Sequence, residues 1–202
     1  MKITIGLMTV NVAALFMLSV AIASASDLNR ERLILLMSNS SKTTTEDIKA
    51  AKEIKVSIQD YMRSRAEREA DSLVRMAENS PFDINAIADA AIRLKTAYNT
   101  QIIVDGVAHF GGNSNNLHQA AFAIQQMVTK RRVSMEEINQ LNEVIPTASE
   151  LMARGIGLSM EELIKVISEG IVNSKEATSV MMHEMQIEFA GSAKEMMKAS
   201  QK

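Results

Sequence analysis

The sequence predicts an all-α fold: a hydrophobic N-terminal helix, a long helix, and then a compact bundle of short helices. Three observations predict it. Aromatic residues make up only 3% of the 202-residue chain and there are two prolines, while the good helix formers Ala, Met, Glu and Lys are plentiful. Apolar residues recur at three- and four-residue spacing through most of the chain beyond residue 46. Signals that start and stop helices alternate along its last third. The organisation that follows is a hydrophobic helical segment at 1–26, a helical connecting region at 27–78 whose long helix begins at about 46, and a compact helical domain at 79–202.

From Ile3 to Ser26 the chain carries no charge, and only Met1 and Lys2 precede it. That length suits a bilayer-spanning helix, which takes about 20 apolar residues. It also suits a secretory signal, with Lys2 as the positive start and Ala23-Ser24-Ala25 as a small-residue cleavage site. A third reading is an apolar helix packed inside a larger helical assembly. The residues alone leave all three open.

The polar stretch "SNSSKTTT", Ser38 to Thr45, breaks the pattern. Thr43 and Thr44 precede Glu46 and Asp47 at capping-box spacing, so a helix is expected from near Asp47 to about Glu78. Its broken apolar stripe is Ile48, Ala51, Ile58, Tyr61, Met62, Leu73, Val74 and Ala77. Pro81 holds Ser80 extended and sets a corner. Asp83 then caps a helix whose buried face is Ile84, Ile87, Ala88, Ala91 and Ile92. The branched residues of "IIVDGVAHF", Ile102 to Phe110, would suit a strand, but their surroundings favour helix. "GGNSNN", Gly111 to Asn116, reads as a loop, and Leu117, Ala120, Ala121, Ile124, Met127 and Val128 define another amphipathic helix.

The phrase Ser-Met-Glu-Glu then occurs twice, at Ser134–Glu137 and Ser159–Glu162. In each copy the serine stands three residues before a glutamate. A serine oxygen there accepts from the third helical N–H while the glutamate reaches back to the serine N–H. The repeat is therefore a repeated helix start and not a duplicated catalytic site. Thr147 with Glu150, and Asn173 with Glu176, share the spacing. Gly155, Gly170 and Gly191 are placed to end helices in the left-handed conformation, and Pro146 closes the segment begun at Ser134. Four short helices result. None is stable alone, because nucleating a helix is costly, so their apolar faces must share a core. The residues expected there are Ile138, Leu141, Val144 and Ile145, then Leu151 and Met152, then Leu163, Ile164, Val166 and Ile167, and last Val180, Met181, Met185 and Phe189.

The chemistry classes thin out quickly. Without cysteine there is neither a disulfide nor a thiolate. A formal net charge of -2 makes no electrostatic case for nucleic acid, and the run Lys130, Arg131 and Arg132 reads as a solvated helix end. His183-Glu184 begins like a zinc motif, but Ile187 stands where the second histidine is required. His109 and His118 flank the glycine loop with no carboxylate cluster beside them. Gly155 and Gly157 lack the third glycine of a dinucleotide fingerprint. No catalytic, cofactor-binding or metal-binding residue is nominated, no cofactor is expected, and the chain is not read as an enzyme. Its fifteen methionines read as pliable core filling.

In one respect the residues point further. "PFDINAIADAAIRLKTAY" from Pro81, and "HQAAFAIQQMVTKRRVSMEEINQLNEVIPTASELMARGIGLSMEELIKVISEGIV" from His118, resemble the tape-measure domain near the amino end of phage tail tape measure proteins. The similarity covers about residues 72–196 and is strongest from Val128 to Gly191. It rests on the Pro81-Phe82 entry, the helix at Ser134 to Leu141, Pro146, "LMARGIGLS" from Leu151, and "EELIKVISEG" ending at Gly170. The resemblance makes 79–202 a tape-measure-like domain and implies a structural role. Such proteins fill the lumen of the growing tail, set its length through a helical rod and are ejected ahead of the DNA. The implied partners are tail tube, tail assembly chaperone and tail initiator proteins, with self-association. The implied location is the virion tail, and the host cytoplasm during assembly.

Full members are far longer, so the chain is expected to be a fragment, a prophage remnant or one product of a split gene, with Ile3–Ser26 as an internal hydrophobic helix. The alternative is a membrane-anchored or secreted helical interaction module, held at the inner membrane or exported through that same segment.

Overall fold

The structure is a computed structural model that describes residues 25–40, 43, 45–53, 58–130 and 132–201. Among these are eleven helices: α1 Ala25–Ser40, α2 Thr45–Glu53, α3 Ile58–Glu78, α4 Ile84–Leu94, α5 Ala97–His109, α6 Ser114–Thr129, α7 Met135–Asn142, α8 Ala148–Ile156, α9 Met160–Ser168, α10 Ser174–Phe189 and α11 Ser192–Ser200. The described residues form no strand; an isolated antiparallel bridge joins Arg132 to Asn173. The all-α expectation holds. The hydrophobic helix expected at 1–26 falls outside the described residues, apart from Ala25 and Ser26 at the start of α1. Among the described residues no helix is long and apolar enough to cross a membrane.

The long helix expected from about residue 46 is replaced by two helices. Arg65 of α3 donates to Asp47 of α2 at 2.9 Å, across a separation of 18 residues. Along one straight helix that separation would span about 27 Å. So α2 folds back on α3. Capping residues mark where a helix starts, but whether it continues or doubles back is decided by what it packs on.

Ala66, Ala70, Leu73 and Met76 are the buried face of α3. Leu33, Ile34 and Met37 of α1 belong to the same core, and an Arg30–Asp71 ion pair at 2.5 Å joins the two helices. Beyond the Pro81 corner, Phe82 is buried. The Asp83 carboxylate accepts from the N–H groups of Asn85 and Ala86, each at 3.0 Å, as the cap requires. The buried face of α4 is Ala86, Ile87, Ala90, Ala91 and Leu94. Of the expected set, Ile87 and Ala91 are inside it, while Ile84 and Ala88 pack at its edge. The rotation puts small alanines inward, where neighbouring helices can approach closely. Asp83→Ala should cost about 1 kcal/mol, because it removes the acceptor from two helix-start N–H groups; chemical denaturation measures it, and no change would mean the cap contributes nothing.

The run "IIVDGVAHF" is helical, in α5. Ile102, Ile103, Val104, Val107 and Ala108 are all buried, which explains a branched run without polar alternation. A helix apolar on every side belongs in the middle of a core. The loop expected at Gly111 to Asn116 is shorter than it reads. Asn113 and Asn116 form a capping box, so α6 begins at Ser114. Along α6 the expected residues are buried except Val128, which is exposed.

The four helices expected between Ser134 and Gly191 are α7 to α10, though α10 is a full 16 residues long. One stop is misplaced. Gly155 does not end α8, which continues to Ile156, and Gly157 takes the left-handed cap with φ 81°. Gly155 instead faces α10, where a Cβ would come within 3.1 Å of both the Val180 Cβ and its carbonyl oxygen. It is small for packing and not for turning. Gly170 and Gly191 do adopt the left-handed conformation.

The shared core forms as expected, with two classes of exception. Ile164 faces solvent, and Val166 and Val180 are only half-buried. Among the methionines, Met37, Met76, Met127, Met152, Met181, Met182 and Met185 are buried, where their unbranched chains fill irregular space.

Candidate interaction surface

The two Ser-Met-Glu-Glu copies are used differently. In the second, the Ser159 hydroxyl accepts from the Glu162 N–H at 3.3 Å and the Glu162 carboxylate accepts from the Ser159 N–H at 2.8 Å. Two bonds donated to its carboxylate, first from the Ser159 N–H and then from the Ser159 hydroxyl at 2.8 Å, hold Glu162 below the usual carboxylate range. In the first copy Ser134 precedes α7 but makes no capping bond. Glu137 turns inward, with 0% of its side chain exposed, and accepts from both the Lys130 ammonium and the Ser134 hydroxyl. Burial pushes the Glu137 carboxyl up, yet the hydrogen bonds from Lys130 and Ser134 outweigh it and hold the group below its ordinary range. Lys130 is thus more than a solvated helix end. It is the residue just past α6, and it ties α6 to α7.

Thr147 also departs from expectation. It precedes α8 without a side-chain cap bond, and its hydroxyl is buried without a partner. Asn142 takes over, accepting from the Ser149 N–H at 3.0 Å and donating to the Ser149 hydroxyl at 3.1 Å. Asn173 caps α10 as expected, accepting from Lys175 and Glu176 N–H groups.

The histidines are separated. Nδ1 of His109 lies 3.2 Å from the Ser192 hydroxyl, and its ring packs 4.7 Å from that of Phe189. His118 meets Asp89 at 2.8 Å, and the same carboxylate accepts from Arg93 at 2.7 Å. Arg93 in turn reaches Gln125 at 2.9 Å and lies over the Phe122 ring. These side chains strap α4 to α6. His183 is exposed. Among the described residues no three His, Cys, Asp or Glu side chains are grouped to hold a metal ion.

A cleft of about 960 Å³ lies between α3, α5 and α11. One wall carries Tyr61, Arg65, Arg68, Ser72, Arg75 and Asn79; Tyr98, Gln101 and Lys194 face them. Both tyrosines of the chain are here. Two carboxylates also line the cleft, and each is committed to a helix start. Glu69 accepts from the Ala97 N–H at 2.7 Å, at the head of α5. Asp105 accepts from the Ala193 N–H at 3.1 Å, in the first turn of α11, and from the Gln101 amide at 3.1 Å. The apolar stripe of α3 does not announce this cleft, because the cleft depends on where α5 and α11 lie. A smaller cleft of about 620 Å³ lies among α4, α5, α6 and α10, with Leu94, Ile102, Ile124 and Met182 in its lining. Ile171 and Ile187 reach solvent, at 67% and 66% exposure.

A family model described as tape measure protein matches residues 48–202. The Mu-like prophage FluMu protein gp42 of Haemophilus influenzae is 33% identical over 134 residues, which is 62% of this chain and 21% of that protein. The chain therefore spans about a fifth of the length of that relative. No solved structure matches.

Proposed function

The chain belongs to the tape measure protein family, and from that premise we propose that it acts as the amino-terminal domain of a tail tape measure, helping to fix how long a phage tail grows. It is a structural phage protein and a component of the virion tail. The observation that carries the reading is the family match through residues 48–202, which takes in every helix from α3 to α11. The physical support is an all-helical body whose buried polar groups lock helix to helix and whose clefts are lined by side chains suited to protein contact.

On this reading the partners are the tail tube, the tail assembly chaperone and the tail initiator, with self-association. The domain anchors a helical rod whose extent sets the tail's length at about 1.5 Å per residue. The assembled tape leaves the tail ahead of the DNA. None of this asks any side chain for catalysis.

The test is genetic and optical. In the phage or prophage that carries the gene, an in-frame deletion of the region coding for residues 79–202 should leave particles without tails, or with tails of irregular length, in electron micrographs. Tails of normal and uniform length in the deletion strain would overturn the proposal.

A further inference from the structure

We propose that the cleft between α3, α5 and α11 is a docking groove for an acidic α-helix of a partner protein.

The shape argument comes from spacing. Tyr61, Arg65, Arg68, Ser72, Arg75 and Asn79, which form one wall, follow one another at intervals of four, three, four, three and four residues. That is the rhythm by which one helix presents a continuous seam to another. The row spans about 27 Å at about 1.5 Å per residue. A neighbouring row of α3, Ala66, Ala70 and Leu73, is already buried in the core. The cleft row is thus a second seam on the same helix, and it opens onto the groove. Ser72, near its middle, is small enough to let a partner backbone come close.

The charge argument selects the occupant. Arg65, Arg68, Arg75 and Lys194 bring four cations to the groove, in a chain whose formal net charge is -2. The carboxylates in the lining, Glu69 and Asp105, face backbone N–H groups at the starts of α5 and α11, so they answer helix dipoles and not the arginines. Arg65 is paired with Asp47. Arg68 and Arg75 donate to the hydroxyls of Ser64 and Ser72, which are neutral acceptors; Arg75 also lies near the Asp71 carboxylate, which hydrogen-bonds Arg30 instead. An incoming carboxylate offers each guanidinium a stronger, two-pronged bond. Tyrosine and arginine are also the side chains most enriched where proteins bind one another tightly.

A single nucleic-acid strand would likewise use cations and aromatic faces. The helical register of the arginines favours a helix, whose side chains repeat at the same interval.

The inference stands on the groove and not on the tail assignment. It is tested with the full chain and a fluorescein-labelled designed helical peptide of about 20 residues, the length of about 30 Å of helix, with glutamates on one heptad seam. Fluorescence anisotropy at low salt should show saturable binding that fades as salt rises. The double variant Arg68→Glu, Arg75→Glu should weaken it by about 10-fold or more, the scale expected when charges meet like charges across an interface. Arg63→Glu should not, since Arg63 pairs with Glu67 within α3 and lies outside the groove lining. Circular dichroism checks that each variant is folded, and Tyr98→Ala, at a side chain 58% exposed, supplies a neutral second variant that should also weaken binding. Three results would overturn the proposal: no saturable binding of the peptide, equal weakening by Arg63→Glu, or tighter binding of a single-stranded oligonucleotide through the same arginines.

Discussion

Phe189→Ala is expected to destabilise the protein by about 3–5 kcal/mol, the cost of emptying a well-packed aromatic site. Phe189 is the last residue of α10 and is 1% exposed. Its ring lies 4.7 Å from that of His109 and 5.5 Å from that of Phe110, both at the far end of α5. A Cβ placed on Gly106 would come within 3.5 Å of it. The site is thus walled by the last turn of α5, from Gly106 to Phe110. The helix backbone at Gly106 cannot move into the space left behind. Guanidinium denaturation should record a lower midpoint with an unchanged slope. Phe122→Ala, at an exposed ring under Arg93, should stay within about 1 kcal/mol. Equal effects at the two positions would mean that α10 does not close against α5.

Glu137→Gln should cost about 2 kcal/mol, because the buried acceptor of a charged donor becomes a neutral amide that satisfies Lys130 poorly. Glu162→Gln, the same change in the other Ser-Met-Glu-Glu copy, should have a much smaller effect, since Glu162 is exposed and water replaces what it loses. The difference is also written in pH. Glu137 is held below its ordinary range in the folded state, so its contribution is fully present above the unfolded value of about 4.3. It is lost as pH falls from there through the folded value. Denaturation curves of wild type and Glu137→Gln should therefore converge on acidification. A constant gap between them down to acid pH would show that the carboxylate is not held in its charged form.

How far the fold was legible depends on how local its causes were. Asp83, Ser159 and Asn173 each bond N–H groups within three residues of themselves, so the spelling of the segment is enough to place the helix start. Ser134 is spelled like Ser159 and behaves otherwise, because Lys130 reaches Glu137 from the preceding helix and burial does the rest. Ile164 fits the apolar period of α9 as well as Leu163 and Ile167 do, yet it faces solvent because, among the described residues, no helix covers that side. Gly155 and Gly157 are both plausible stops by composition; the close approach of Val180 assigns packing to one and turning to the other. The arginine row of α3 had a readable spacing, but its meaning depended on α5 and α11 leaving the groove open.

The sequence by itself determined that this chain is helical, where most of its helices begin, and that Ile138, Leu141, Leu151, Met152, Met181, Met185 and Phe189 are buried, since each of these follows from contacts within a few residues or from apolar periodicity. Only the tertiary structure decided that α2 turns back on α3, that the glutamate of one of two identical phrases is buried and paired with Lys130, and that a cationic groove stays open beside the core. Those outcomes depend on which helix lies against which, and a side chain's environment across such a contact is set by residues distant in the chain, whose approach no local spacing records.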